Sequence, residues 1–413
     1  MERNLSSRLW RAIYERARLC LILIGSVCAL PVAIILSLIA PIYRVRSGFL
    51  FVDRIGHFAF DAEYYLSGIA SDKVSQKCGH DIFFYEGKLS NEQLSRMFRR
   101  HVWTSGLVRF LYTANTWLPW ATKQNITPAR MRNGSRDLEG NFRRVEHQLK
   151  FTDWEDRQGH AALAEFGLSH SDYFVCLQVR DPAYLGSTRP ESNWSYHSYR
   201  DCDIRTYHST VRELVKHGYW VFRMGKNVQH PLLIEDERVV DYANHPKRSD
   251  FLDVWLMANC HFAISSGTGL DSVSDAFRRP ILYTNYDVFH LMVTWSMCLT
   301  VPKRLVWRKT GEELSIAEYF DYGFAHSRKY EAAGIQVVDL EEHEITSATR
   351  EMISWLEGDI NRSSYEADIQ QQFWREYARQ PKFPQFHGQI HPQSRIGSEY
   401  LKSYISELIR PVP

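Results

Sequence analysis

"CHFAISSGTGLDSVSDAFRRPILYTN", residues 260–285, is the stretch on which the fold reading turns. An apolar run, Phe262–Ile264, stops at Ser265-Ser266-Gly267-Thr268-Gly269. A helix-like segment follows, and after Pro280 a second apolar run covers Ile281–Tyr283. Short apolar runs bounded by breakers and separated by a helical segment predict a strand–helix–strand unit of a parallel sheet. The small-residue loop inside it has two readings. Backbone N–H groups exposed by glycines at the start of a helix bind phosphate. The same residues also make a plain turn with good caps. Taken alone, the loop leaves the two even.

Outward from this unit the alternation continues. "YFVCLQVR" (173–180), "YWVFRMG" (219–225) and "RVVDYA" (238–243) predict strands. Asp203–His217 predicts a helix ended by Gly218, and "SDFLDVWLMANC" (249–260) a helix capped by Ser249 or Asp250. Nearer the N-terminus, "FLFVDRIGHFAFDAEYYL" (49–66) predicts a strand, a tight turn at Gly56 and a helix. "DIFFYEG" (81–87) predicts a strand leading to a helix capped by Ser90. Strands alternating with helices give an α/β class with mostly parallel sheets covered on both faces. A chain of 413 residues exceeds what one core usually supports. The division expected is an α/β domain over 45–170, a second over 171–342, and C-terminal helices over 343–413.

Residues 19–42 carry no charge, enough apolar length to cross a bilayer despite Pro31. The expectation is a basic segment over 1–18 and a retained membrane anchor helix over 19–43. Arg3, Arg8, Arg11, Arg16 and Arg18 precede it and Arg44 and Arg46 follow, so charge leaves its orientation open. A helix lying flat among the headgroups is the alternative. The net charge of +2 argues against a nucleic-acid partner, and the basic clusters at 99–109 and 129–144 read as solvated faces. Cys20, Cys28, Cys78, Cys176, Cys202, Cys260 and Cys298 form no CxxC pair and no metal-ligand set. They read as small hydrophobes in a reducing compartment.

In parallel sheets ligands bind beyond the carboxyl ends of the strands, and three polar clusters fall there: Arg180-Asp181, Arg223 through Lys226, and the 265–269 loop. An arginine ending an apolar strand suits diphosphate oxygens, each charge-assisted bond contributing roughly 1.5–3 kcal/mol. Structural ion pairs with Asp181, Asp250 or Asp253 are the bland alternative. There is no P-loop around Gly225-Lys226, and the dinucleotide fingerprint fails because Ser272 stands where a glycine is needed. Absence of that fingerprint speaks against an oxidoreductase. "DCD" (201–203) matches a short metal-binding pattern of sugar transferases but does not follow a strand. His57, at the predicted turn, is a candidate general base.

The runs "GFLFVDRIGHFAFDAEYYL", "NEQLSRMFRR", "CLQVRDPAYL", "HSYRDCDIRTYHSTVRELVKHGYWVFRMGK", "SDFLDVWLMANCHFAISSGTGL" and "VPKRLV" together resemble a family of bacterial surface-polysaccharide glycosyltransferases with an N-terminal membrane anchor. The C-terminal half is more distantly similar to the donor domain of fucosyltransferase-like enzymes. The resemblance implies two Rossmann-like domains (the GT-B architecture) facing a cleft, preceded by one transmembrane helix. It implies a nucleotide sugar as donor, a glycan or lipid-linked acceptor, no cofactor and no essential metal. Carried onto this chain, Arg180, Arg223, Gly225 and the loop Ser265, Ser266, Gly267, Thr268 and Gly269 hold the donor, with Lys226 and Asp250 completing that side. Gly56, His57 and Glu63 face the acceptor. The acceptor's proton goes to His57, or less readily to Glu63 or Asp181. Asp61-Ala62 depart from the family's common Asn-Thr, which leaves a polar role for those two positions unsupported. A non-catalytic membrane-anchored binding protein is the alternative function.

Overall fold

The structure is a computed structural model that describes residues 2–71, 79–183, 195–286, 289–324, 326–359 and 363–411; Cys78 lies outside them. Two parallel sheets organise the chain. The smaller contains β1 (Arg44–Phe51), β2 (Gly79–Glu86), β3 (Trp103–Thr104) and β4 (Asn125–Ile126), in the order β3-β2-β1-β4. Side chains alternate across it as the pleat requires. Leu50, Val52 and Phe83 join Phe58 of the helix Ile55–Ser71, while Phe49 and Phe84 join Val108 of the helix Val108–Trp117 on the other face.

The larger sheet contains β5 (Phe174–Gln178), β6 (Trp220–Arg223), β7 (Val239–Val240), β8 (Phe262–Ser265), β9 (Ile281–Tyr286) and β10 (Cys298–Pro302). An antiparallel ribbon, β11 (Arg304–Trp307) with β12 (Ile335–Val338), stands apart, and β13 (Ser394–Ile396) returns to the sheet. The order is β13-β10-β9-β8-β5-β6-β7, all parallel. β5, β6 and β8 are buried along their whole length, which explains their unbroken apolar sequence. One face of this sheet (Cys176, Phe222, Ala263) shares a continuous core with Leu50 and Phe58 of the small sheet. The other face (Val175, Val221, Ile264) packs under C-terminal elements, including Ile345 and Phe373. The α/β reading with two parallel-sheet units therefore holds.

Local differences have identifiable causes. Gly56 is the second residue of a helix, not a turn. The cap at the helix Glu92–Arg99 is Asn91, whose Oδ1 accepts from Leu94 N at 3.0 Å, rather than Ser90. Ser249 caps the helix Asp250–Asn259. The 203–217 helix opens as a 3-10 turn, Ile204–Tyr207, because Asp203 caps it. The terminal segment is not helices alone, since Ser394–Ile396 supplies an edge strand to the large sheet. The basic clusters are solvated in part, with Arg99, Arg132, Arg143 and Arg144 exposed, but Arg100 pairs with Glu155 at 2.5 Å, Arg109 with Glu86 at 2.7 Å, and half-buried Arg136 holds the carbonyls of Phe386 and Leu291.

The N-terminal helix Glu2–Ile39 is not a free stalk. Its 27-residue apolar part, Ile13–Ile39, is long enough to cross a membrane, yet it lies along the helix Val108–Trp117. Arg18 reaches Glu86 at 2.7 Å, Gly25 sits on the Phe110 ring, and Ala33 packs with Leu111 and Ala114.

Packing is tightest at Gly159, in the helix Asp153–Phe166, where an added Cβ would fall 2.0 Å from Cε2 of buried Trp255. Gly159→Ala should therefore overpack this seam and lower stability by ~1–3 kcal/mol. The check is a shift of the urea midpoint without a change of slope.

Candidate functional site

Each sheet has one position where the strand order reverses, and ligands of open parallel sheets bind in the crevice there. In the large sheet the chain starts at β5, adds β6 and β7 to one side, then crosses to β8. The crevice lies between β5 and β8, where Arg180 and the Ser265–Gly269 loop emerge, and Arg180 N donates to Ser266 Oγ at 2.8 Å. In the small sheet β1 is followed by β2 and β3 on one side and β4 on the other. Asp53 emerges after β1 and Arg130 after β4, 3.7 Å apart. The two crevices meet. A Cβ on Gly56 would stand 2.8 Å from the carbonyl oxygen of Gly269.

The 265–269 loop is largely a self-closed turn. Ser265 Oγ donates to Asp271 Oδ2 at 2.7 Å and accepts from Gly267 N at 3.1 Å, and Thr268 N donates to the same carboxylate at 2.8 Å. The chain's own carboxylate thus fills the place expected for an external anion. Ser265 and Ser266 are buried, so neither hydroxyl is presented outward; Gly269 is the exposed part of the loop. Burial pushes the Asp271 carboxyl up to about 7, against the bonds from Ser265 and Thr268.

The cations at the carboxyl edge divide into two groups. Arg223 is a correction: its guanidinium is 1% exposed, lies 3.3 Å from Asp241 and 3.8 Å from Asp181, and donates to His230 O at 3.1 Å. It is a buried structural ion. Lys226 lies 4.0 Å from Asp250, whose Oδ2 accepts from Glu92 N at 2.9 Å. Asp250 therefore belongs to the seam with the helix Glu92–Arg99 and not to a donor site. Gly225 is needed for its positive φ of 152° and its fit against Val228. The second group surrounds the loop. Arg180 Nε lies 3.6 Å from Asp201, and Arg200 donates to Gly267 O at 3.2 Å. Lys303 bridges the Asp201 carbonyl at 2.8 Å and Asp339 at 2.7 Å. Burial raises the Asp201 carboxyl, while Arg180, Lys303 and Arg200 act to lower it. Asp203, its neighbour in "DCD", is held instead by Arg205 at 2.6 Å. Lys303 carried the same signal in sequence as Arg180, a cation closing an apolar strand; Arg200 carried none.

On the small-sheet side, two base candidates are corrected. Glu63 is fully buried and accepts from Gln148 N, Leu149 N and Ser67 Oγ, with Arg278 at 2.9 Å. It has no capacity left for a substrate proton. Asp181 accepts from Ala183 N and Gln229 N, both at 2.8 Å, beside Arg223, and organises its own loop.

His57 is different. Its Nδ1 lies 2.8 Å from Ser135 Oγ, which donates to Asp61 Oδ1 at 2.7 Å; Arg130 N holds the other oxygen at 3.0 Å. A hydroxyl whose proton goes to a carboxylate must accept from the histidine. The chain therefore fixes the Nδ1–H tautomer and leaves the Nε2 lone pair open. Burial lowers His57 to about 4, helped by Arg130 and Arg54, and burial raises Asp61 to about 6. The polar role left unsupported at Asp61 by sequence is thus present. Ser135 could not be found from sequence, because it lies 78 residues from His57 in the chain.

No family model matches the chain, and no curated protein does. Solved structures similar to it include a glycosyl transferase family 9 protein from Veillonella parvula, at 11% identity over 75% of this chain and 97% of that one, TM-score 0.45. The ADP-heptose LPS heptosyltransferase II of E. coli is similar at 13% identity over 58% and 85%, TM-score 0.30. The dodecameric iron-containing glycosyltransferase TibC of enterotoxigenic E. coli is similar at 13% identity over 63% and 62%, TM-score 0.31. Likenesses this distant do not bear on what this chain binds.

Removing one member of a buried ion pair leaves the other uncompensated and costs about 3–5 kcal/mol. Arg223→Ala and Glu63→Ala should each lower the unfolding midpoint accordingly. A Glu63→Ala protein of wild-type stability would return Glu63 to the list of catalytic candidates.

Proposed function

We propose that the protein is a membrane-associated glycosyltransferase that moves a sugar from a nucleotide-activated donor to a surface-glycan or lipid-linked acceptor. The observation that carries this reading is the meeting of the two crevices at Gly56 and Gly269. Cations (Arg180, Arg200, Lys303) stand on the large-sheet side, and a tautomer-fixed histidine on the other. In sugar transfer the acceptor hydroxyl oxygen bonds to the anomeric carbon, the bond to the diphosphate breaks, and the leaving group takes the electron pair. The chemistry needs a proton acceptor beside the hydroxyl and positive charge beside the diphosphate. His57 Nε2 supplies the first, and Arg180 and Arg200 beside the Ser265–Gly269 loop the second. Asp53, missed in the sequence although it directly follows β1, lies in the same crevice beside Arg130 and is the second candidate base. Nucleotide sugars are cytoplasmic, so both units belong on that side of the membrane, and the neutral N-terminal run is the membrane-binding part.

The test is turnover of a panel of nucleotide sugars by the full chain in detergent, read as released nucleoside diphosphate. His57→Ala should reduce the rate by 10²–10⁴-fold with little change in donor affinity. Arg180→Ala should weaken donor binding about 10–100-fold, the equivalent of one charge-assisted bond. Donor binding without any release or transfer would favour a non-catalytic sugar-nucleotide binding protein; no binding at all would end the reading.

The pH dependence follows from the relay. Asp61, raised to about 6, is ionised above that pH and takes a proton as pH falls through it, and Ser135 then loses its anionic acceptor. The rate should fall below pH about 6, and Asp61→Asn should lower the plateau and flatten that limb.

A further inference from the structure

The N-terminal helix has its residues arranged opposite to those of a helix docked on a protein in water. Its inward stripe carries small residues, Gly25, Ser26, Ala29 and the fully buried Ala33, against the helix Val108–Trp117, with Leu30 and Leu36 packed beside them. The hydroxyls of Ser26 and Ser37 are turned to the carbonyls of Ile22 and Ala33 in their own helix. Small residues let two helices approach closely, the habit of helices packed within lipid. The outward face carries the large apolar side chains, among them Leu21 (66% exposed), Ile24, Ile35 and Leu38 (74% exposed). An apolar surface this long and continuous is not left to water. Arginines stand exposed at both ends, at Arg16 and Arg44, and Tyr14 and Tyr43 flank the run with amphipathic rings.

The helix cannot stand upright in a bilayer while it keeps these contacts. Along the same length lie the helix Val108–Trp117 and β2, with the Arg18–Glu86–Arg109 cluster at one end and Tyr43 bonded to His80 at the other. An upright helix would draw a four-stranded sheet with open edges into hydrocarbon, where unpaired backbone groups are not tolerated.

We infer that the helix lies in the plane of the membrane as the outer layer of the small-sheet unit, its Leu/Ile face in the acyl chains and its arginines among anionic headgroups. The inference deepens the membrane part of the proposed function and is independent of its chemistry. It replaces the single-pass anchor with a monotopic one. Lipid is the occupant argued for, since the outward face carries apolar residues between cationic ends.

Cys20 and Cys28 are both exposed on this helix and provide the test. Full-length Cys20→Ser and Cys28→Ser proteins, each labelled at the remaining one of the pair with an environment-sensitive fluorophore, are bound to phosphatidylglycerol–phosphatidylethanolamine vesicles containing spin-labelled lipids of known depth. The expected result is quenching at about the same shallow depth for both positions. A spanning helix would separate them by about 12 Å, eight residues at 1.5 Å each, and would overturn the inference. So would absence of quenching, which would mean water or a second copy covers the face. As a second arm, Ile24→Lys with Ile35→Lys should leave the circular dichroism and the unfolding midpoint unchanged in detergent but abolish flotation with vesicles. Continued flotation would count against the surface as the binding face. Neither arm reads sugar chemistry, so loss of the enzymatic reading and loss of this one remain separable.

Discussion

Two backbones in contact, at Gly56 and Gly269, fix how the rest of the molecule is arranged. Neither residue is needed there for an unusual φ. The requirement is distance, since any side chain on Gly56 would push the first turn of the helix Ile55–Ser71 away from the loop after β8. This approach brings the reversal points of the two sheets together, and with them the groups whose chemistry differs: cations on one side, a histidine relay on the other. The approach is held from below by the Glu63–Arg278 pair and by a core that runs from Leu50 to Phe222 without a break. Such a continuous apolar contact resembles a single core more than a flexible domain interface.

Electrostatics at the carboxyl edge are mostly settled internally. Asp271 takes the Thr268 amide and the Ser265 hydroxyl, Asp241 takes Arg223, and Asp201 sits among Arg180, Arg200 and Lys303. Burying a charge demands a partner, so strongly placed ions in a sheet of this kind come with carboxylates already in reach. The distinction between a structural ion and a ligand-binding one then rests on how much of the cation still reaches the surface. Arg223, 1% exposed, is enclosed by Asp241, Asp181 and the His230 carbonyl. Around Asp201 the cations Arg180, Arg200 and Lys303 meet Asp201, Asp181 and Asp339, and Arg180 keeps a side chain 16% exposed beside the loop.

The outer layer of the small-sheet unit is made by the N-terminal helix itself. Ala33 covers Leu111 and Ala114, so the segment is part of the fold as well as the apolar surface for which lipid contact is proposed. On that proposal, a structural layer with its bulky residues outward would tie the orientation of the sheets, and so of the crevice, to the plane of the membrane.

Much of the fold could be read from the chain because local signals and global demands agree there. Apolar runs of four to six residues bounded by Gly, Ser or Pro gave β5, β6, β8 and β9, and strand–helix alternation gave parallel sheets. β4 and β13, of two and three residues, were missed, and β7 is shorter than its apolar run, because so short a strand is defined by its neighbour's hydrogen bonds and not by its own sequence. At the site, the chain alone marked Arg180, His57 and the 265–269 loop as polar groups ending buried strands. It could not say which of them face outward. Arg180 and Arg223 look alike in sequence, each closing an apolar strand, and only the tertiary structure, by burying Arg223 between Asp241 and Asp181, sets them apart. The same holds for Asp61 and Ser135, whose meaning depends on a 2.7 Å contact across 74 residues of chain. Sequence fixes what a residue can do with its own neighbours; which partner it finds at a distance is decided by the packing of whole elements.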